Sequence, residues 1–154
     1  MKSQTLVTRP ADTTAYGAGD VVGGAFKLLD VSPLPGGEVL ITSASLRIDV
    51  TAVPSGMTTF RLHIYNVTPP SALADNAVWD LPAGDRASYQ GYIDLGTPVD
   101  VGSTLWVQTD KTTTQGKWKL GAGETAFYCY LVTAGAYTPS SAAVKAVAID
   151  ALTI

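Results

Sequence analysis

The stretch Leu40-Ile-Thr-Ser-Ala-Ser-Leu-Arg-Ile-Asp-Val50, followed after a turn by Thr59-Phe-Arg-Leu-His-Ile-Tyr65, decides the fold. Successive side chains of a β-strand point to opposite faces, so apolar residues at every second position mark a strand with one buried side. In the first segment Leu40, Thr42, Ala44, Leu46, Ile48 and Val50 share one face, leaving Ser43, Ser45, Arg47 and Asp49 on a wet side. In the second, Phe60, Leu62 and Ile64 face the core, while Arg61, His63 and Tyr65 are predicted to face outward. Pro54-Ser-Gly56 joins the two through a connection longer than a two-residue hairpin.

Beyond this pair, turn signals recur at short intervals, among them Gly17-Ala-Gly19, Gly23-Gly24, Pro33-Leu-Pro35-Gly36-Gly37, Pro69-Pro70, Pro82-Ala-Gly84 and Gly121-Ala-Gly123. The runs between them are too short for ordinary helices and rich in Val, Ile, Thr, Tyr and Phe. They predict further strands over residues 21–29, 89–95, 104–109, 116–120, 125–132 and 144–154, about eight in all. Eight antiparallel strands with short loops favour two packed sheets, because one open sheet would leave an apolar face in water. The expected fold is therefore an all-β, antiparallel two-sheet sandwich of jelly-roll type. In the strand from Thr125, Cys129 alternates in phase with Phe127 and Leu131, so its thiol is expected inside as a core filler.

Composition narrows the function. A chain of 154 residues fits one domain whose core needs no covalent staple. Cys129 is the sole cysteine, which excludes an internal disulfide and a thiolate zinc site. Only 15% of residues are charged, so much of the surface is Thr, Ser, Gly and Ala. The net charge is −3, and the ten Lys and Arg residues are scattered singly. Nucleic-acid binding is disfavoured, since it draws on a clustered basic stripe that neutralises phosphates. With no apolar run of signal-peptide or membrane-span length, a membrane location is not expected and the product is expected in the cytoplasm where it is made, unless it leaves inside something larger.

Two segments fall outside the strand pattern. Residues 1–16 read as a polar N-terminal arm that either lies along the domain edge or reaches a neighbour, with 17–154 as the sandwich domain. Residues 68–88 form a long loop whose Trp79 and Leu81 argue for order. A short helical turn over 71–77 with Ser71 as its cap would suit this loop.

No residue pattern points to catalysis. His63 lacks the Gly-x-Ser-x-Gly or His-Glu-x-x-His context that would make it a base, and Cys129 lacks the exposed, electropositive surroundings of a reactive thiol. Asp75, Asp80 and Asp85 lack the compact spacing and closing Glu of an EF-hand, and read as turn caps rather than a calcium site. Asp94 and Asp100 form a carboxylate pair of the kind any Asp-rich sandwich offers by chance. Trp79, Trp106 and Trp118 could stack on sugars, but core or interface packing is the commoner use of such residues. Asn66-Val67-Thr68 is a glycosylation sequon followed by Pro69 and without a secretion signal, so it is set aside. No cofactor and no metal are expected.

Three stretches taken together carry a family resemblance: Arg9-Pro-Ala-Asp-Thr-Thr-Ala-Tyr-Gly-Ala-Gly-Asp-Val-Val-Gly23, Gly56-Met-Thr-Thr-Phe-Arg-Leu-His-Ile-Tyr-Asn-Val-Thr-Pro-Pro70, and Ala74-Asp-Asn-Ala-Val-Trp-Asp-Leu81 through Tyr92-Ile-Asp-Leu-Gly-Thr-Pro98. They resemble small structural proteins of tailed bacteriophages and prophages, and the likeness covers nearly the whole chain. It implies a non-enzymatic virion component on the capsid surface, of the cement or decoration type, with the major capsid protein as partner and a homodimer or homotrimer as its assembly. A head-fibre or tail module binding host glycan or a receptor is the alternative, and a virion-bound depolymerase a weaker third. Under the cement reading, the arm and the long loop straddle adjacent capsid subunits, with Arg9, Tyr16, Trp79, Leu81 and Arg86 as interface anchors.

Overall fold

The computed structural model describes residues 1–110, 117–141 and 143–154. The strands in chain order are β1 (Lys2–Val7), β2 (Val21–Leu28), β3 (Glu38–Ile48), β4 (Phe60–Tyr65), β5 (Tyr89–Gly96), β6 (Val99–Asp100), β7 (Leu105–Asp110), β8 (Trp118–Lys119), β9 (Phe127–Thr133) and β10 (Lys145–Thr153). One sheet has the order β1-β10-β3-β7-β6, with β8 also paired to β3; the other has the order β2-β9-β4-β5. All pairings are antiparallel. Leaving aside the two-residue β6 and β8, the longer strands lie first-eighth-third-sixth in one sheet and second-seventh-fourth-fifth in the other. That is the order of a jelly roll, in which the chain wraps back and forth between two sheets.

Each expected strand is present, with β1 and β6 added. The Gly116 end of the strand expected over 116–120 lies outside the described residues, and β8 occupies its centre. The apolar alternation builds the space between the sheets: Phe60, Leu62 and Ile64 of β4 and Phe127, Cys129 and Leu131 of β9 meet Leu46, Ile48, Val147 and Ile149 of the opposite sheet. Cys129 is fully buried there, and burial raises its thiol pKa well above the ordinary range.

Two expectations need correction, and one left open is resolved. The alternation in β3 slips phase: Val39 and Ile41 face the core at one end and Ala44, Leu46 and Ile48 at the other. The register shifts opposite Asp150 and Ala151, and the unpaired Thr42 is the extra residue of a β-bulge, which turns Leu40 away from the core. Residues 1–16 take the first of the two courses expected of them. β1 pairs with β10 along the sheet edge, and Tyr16 bridges to Tyr137. The loop 68–88 has no helical turn over 71–77. Its one turn of 3-10 helix is Ala83–Asp85, and Ser71 instead donates its backbone N–H and its hydroxyl to the buried Asp85 carboxylate.

The loop folds back over the outer face of the four-stranded sheet. It is tied to the edge of β2 by Val21 N–H to Ala77 O at 2.7 Å, Asn76 N–H to Val21 O at 2.8 Å and Trp79 N–H to Gly19 O at 2.9 Å. Leu73, Trp79 and Leu81 then close a second apolar cluster with Tyr65, Tyr128, Tyr130 and Val132. This is why all seven residues of β9 are buried: one set of side chains meets the main core and the other meets the loop.

Candidate functional site

Beneath the loop, the outward side chains of β4 form an aromatic recess. His63 is 3% exposed, so the expectation that it faces solvent is overturned, as is that for the fully buried Tyr65. The outward orientation along β4 is as read; the loop lies above it. The His63 ring stacks on Trp79 with centroids 3.8 Å apart, and its Nδ1 lies 2.9 Å from the Tyr89 hydroxyl. Burial, reinforced by the positive charge of Arg61, lowers the His63 pKa to about 4, so the imidazole is neutral near neutral pH. At the mouth, Arg61 lies 4.5 Å over the Tyr92 ring and donates from Nε to Asp94 at 2.8 Å. The recess beside them has a volume of about 300 Å³, with Arg61, His63, Val78, Trp79, Val132 and Thr133 among its lining residues. A neutral imidazole, an indole and a guanidinium around an apolar floor can hold a small ligand. They present no aligned nucleophile.

The other candidate groups are engaged structurally. Asp94 is held by Arg61 on the four-stranded sheet, while Asp100 accepts from Gly102 N–H at 2.8 Å on the six-stranded one, so the two do not form a pair across a cleft. Asp75 accepts from the Tyr16 hydroxyl at 2.6 Å and from Gly23 N–H at 2.7 Å. Asp85 is buried against Ser71, and Asp80 is exposed. Trp118 is buried in the main core, and Trp106 is half-buried on the outer face of its sheet.

The five anticipated interface residues separate into two groups. The Arg9 side chain is 2% exposed, donating from Nε to Tyr16 Oη at 2.9 Å and from Nη2 to Asp12 Oδ1 at 3.0 Å. Tyr16 is 1% exposed. These two knit the N-terminal segment to the loop, and their side chains offer little to a partner. Trp79 and Leu81 are half-buried over the second cluster, and Arg86, in the same loop, is exposed.

A different surface emerges on the outer face of the six-stranded sheet, where strand register aligns Leu6, Ala146, Arg47, Trp106 and Val99 in one row. The next row holds Gln4, Ala148, Ser45 and Gln108, and the one after it Lys2, Asp150, Ser43 and Asp110. The two middle strands contribute Ala146, Ala148, Ser43 and Ser45 together with Arg47 and Asp150, and Ala146, Ala148 and Ser45 are buried between their larger neighbours, while Leu6 (53% exposed), Val99 (57%) and Trp106 give the face an apolar margin. No loop among the described residues packs over it comparably to 68–88 on the other sheet. In the sequence this face shows as small residues, Ala146 and Ala148, alternating with Val147 and Ile149, but alternation alone does not tell what lies over it.

No protein-family model matches the sequence, and no curated protein matches it. Among solved structures, the chain is similar to one from the giant freshwater prawn Macrobrachium rosenbergii nodavirus semi-empty VLP, at 13% identity and a TM-score of 0.31, covering 100% of this chain and 86% of that one. It is also similar to a chain of the Triatoma virus empty capsid, at 14% identity and a TM-score of 0.34, covering 98% and 87% respectively. A chain of the native Kashmir bee virus virion at acidic pH matches at 12% identity and a TM-score of 0.30, covering 100% and 73%. At such scores the likeness has no bearing on function, and the fold rests on the strand order described above.

Proposed function

We propose that this protein is a structural component of a tailed-bacteriophage particle, a cement or decoration protein that sits on the outer capsid surface across major capsid protein subunits. The observation that carries this reading is the contrast between the two sheets. The chain uses its longest loop to cover one outer face, while no loop among the described residues packs comparably over the other, which carries small residues beside Arg47 and Asp150 and is apolar at its margin. Such a face suits packing against another folded surface, where a few large side chains supply most of the affinity. The sequence resemblance to phage structural proteins supports the major capsid protein as partner. Trp106, Leu6 and Val99 anchor the contact, with Arg86, Trp79 and Leu81 available to a second capsid subunit on the opposite side. Self-association as a dimer or trimer belongs to the same reading, as does synthesis in the host cytoplasm followed by residence in the virion. Contacts worth a few kcal/mol per copy add up over the many symmetry-related positions of a shell.

The recess beside Trp79, His63 and Arg61 favours a second reading, a head-fibre or tail module that takes a host glycan. Copy number separates the two. Quantification against the major capsid protein in purified particles is expected to give a simple fraction of the capsid subunits, or a ratio near one. A handful of copies per particle would overturn the cement reading in favour of the fibre or tail module.

A further inference from the structure

A β-sandwich has lateral edges whose backbone groups invite pairing with another chain unless they are blunted. Among the described residues, three of the four edges are closed or blunted by the protein itself. β2 is bulged between Val22 and Phe26, is bonded at Val21 by the long loop, and has its Lys27 carbonyl and that of the following Leu29 capped by the Thr5 and Ser3 hydroxyls. β5 breaks register twice against β4 and carries Gly91 and Gly96 at positive φ. β6 is two residues long and follows Pro98.

β1 is different. Its six residues pair with β10 in unbroken register. Met1 and Ala151 exchange both backbone hydrogen bonds, so Ser3, Thr5 and Val7 bond to β10 while the N–H and C=O groups of Lys2, Gln4 and Leu6 point to the open side. Met1, Leu6 and Leu29 around this edge are each more than half exposed.

We infer that β1 is the dimerisation edge, pairing antiparallel with β1 of a second copy of this chain about a two-fold axis through Gln4. The sequence is self-complementary in that register. Gln4 faces Gln4 and Lys2 faces Leu6, so the strand's one charged side chain never meets its own kind, and each Lys2 stem lies along an apolar Leu6. Three facing pairs supply about six backbone hydrogen bonds. The interface is isologous, as closed dimers require, and it joins the two six-stranded sheets into one continuous sheet. It deepens the self-association included in the functional reading, but its test uses no particle, so a failed dimer and a failed cement role are distinguishable.

The full chain is expected to sediment as a dimer at about 10 μM, within the range of ordinary stable interfaces. Gln4→Pro removes a donor on the open side while sparing the bonds to β10, and is expected to raise the dimer dissociation constant by at least about 100-fold, the equivalent of losing about two interfacial bonds. Crosslinking checks the register independently of that variant's folding. Gln4→Cys is expected to form a disulfide-linked dimer on mild oxidation, Leu6→Cys alone is not, and Lys2→Cys combined with Leu6→Cys is. A wild-type monomer or trimer, undiminished dimerisation of a folded Gln4→Pro variant, or crosslinking of Leu6→Cys as readily as Gln4→Cys would each overturn the assignment.

Discussion

Trp79, in the connection between β4 and β5, lies ring to ring against His63 of β4, with centroids 3.8 Å apart and planes 25° apart. Its indole Nε1 donates to the Tyr65 hydroxyl at 3.2 Å. One side chain thus seals the loop to two strand residues that would otherwise face water.

Truncating Trp79 is therefore expected to cost fold stability first, whatever it does to attachment. Trp79→Ala removes the stack and leaves Tyr65 and His63 partly uncovered. The side chain is only half-buried, so the cost lies near the lower end of the roughly 3–5 kcal/mol seen for core Trp. At this chain length that lowers Tm by roughly 10 °C, which calorimetry on the free protein measures. An unchanged Tm would mean that the loop does not seal the sheet.

The same relationship shows what was legible in the sequence. Period-two alternation located Phe60, Leu62 and Ile64 correctly, because it reports which way a side chain points relative to its own strand. It cannot report what lies above that side chain, so His63 and Tyr65 read as facing outward although the loop covers them. The phase slip in β3 was hidden for a related reason: one inserted residue reverses the faces, and Leu40 and Ile41 are equally apolar. Arg9 and Tyr16 look like anchors for a partner because they are an Arg and a Tyr in a polar segment. Here they bond to each other and to Asp75, 59 residues beyond Tyr16.

His63 makes stability depend on acid. Its folded-state pKa of about 4 lies below the unburied value of about 6.5, so the unfolded chain binds the extra proton first. The stabilisation is complete above about pH 6.5 and is lost as pH falls toward 4, by on the order of 3 kcal/mol over the window. Denaturant titrations at a series of pH values check the slope. His63→Phe, which keeps an aromatic ring against Trp79, is expected to flatten it.

Lys145 gives the opposite experiment. It is 1% exposed and faces inward opposite Val7 and Ile48, and desolvation, with help from the charge of Arg9 and against that of Asp75, lowers its pKa to about 8. The folded state releases this proton before the unfolded state does, so the residue is destabilising below about pH 8 and the penalty fades as pH rises toward 10.5. Lys145→Met fills similar space without the charge, and is expected to raise stability near neutral pH by roughly 2–3 kcal/mol and by little at high pH. Parallel denaturation of both proteins near pH 7 and near pH 10 reads the difference. A destabilised Lys145→Met variant at neutral pH would show instead that the ammonium group is held by favourable contacts.

The polar link formed by Arg9, Tyr16 and Asp75 supplies the last test, because it separates a structural role from the interface role that the sequence suggested. Tyr16 accepts from Arg9 Nε and donates to Asp75 Oδ1, and Asp75 in turn accepts Gly23 N–H. Gly23 has a φ of +84°, and a Cβ there would come within 2.6 Å of Thr8 O, so its amide sits in a tight junction between β2 and the residue following β1. Tyr16→Phe keeps the ring against Tyr137 but leaves a guanidinium N–H and a carboxylate oxygen short of a partner, for a cost of about 1–3 kcal/mol. The loss is expected to be local as well as global: hydrogen exchange at the Gly23 amide should accelerate by more than the fall in overall stability accounts for, as Asp75 is freed to move. Attachment to particles, measured below the variant's melting range, should be unchanged, since Tyr16 is 1% exposed and its hydroxyl is turned inward. Weakened attachment with an unchanged exchange rate at Gly23 would return Tyr16 to the interface.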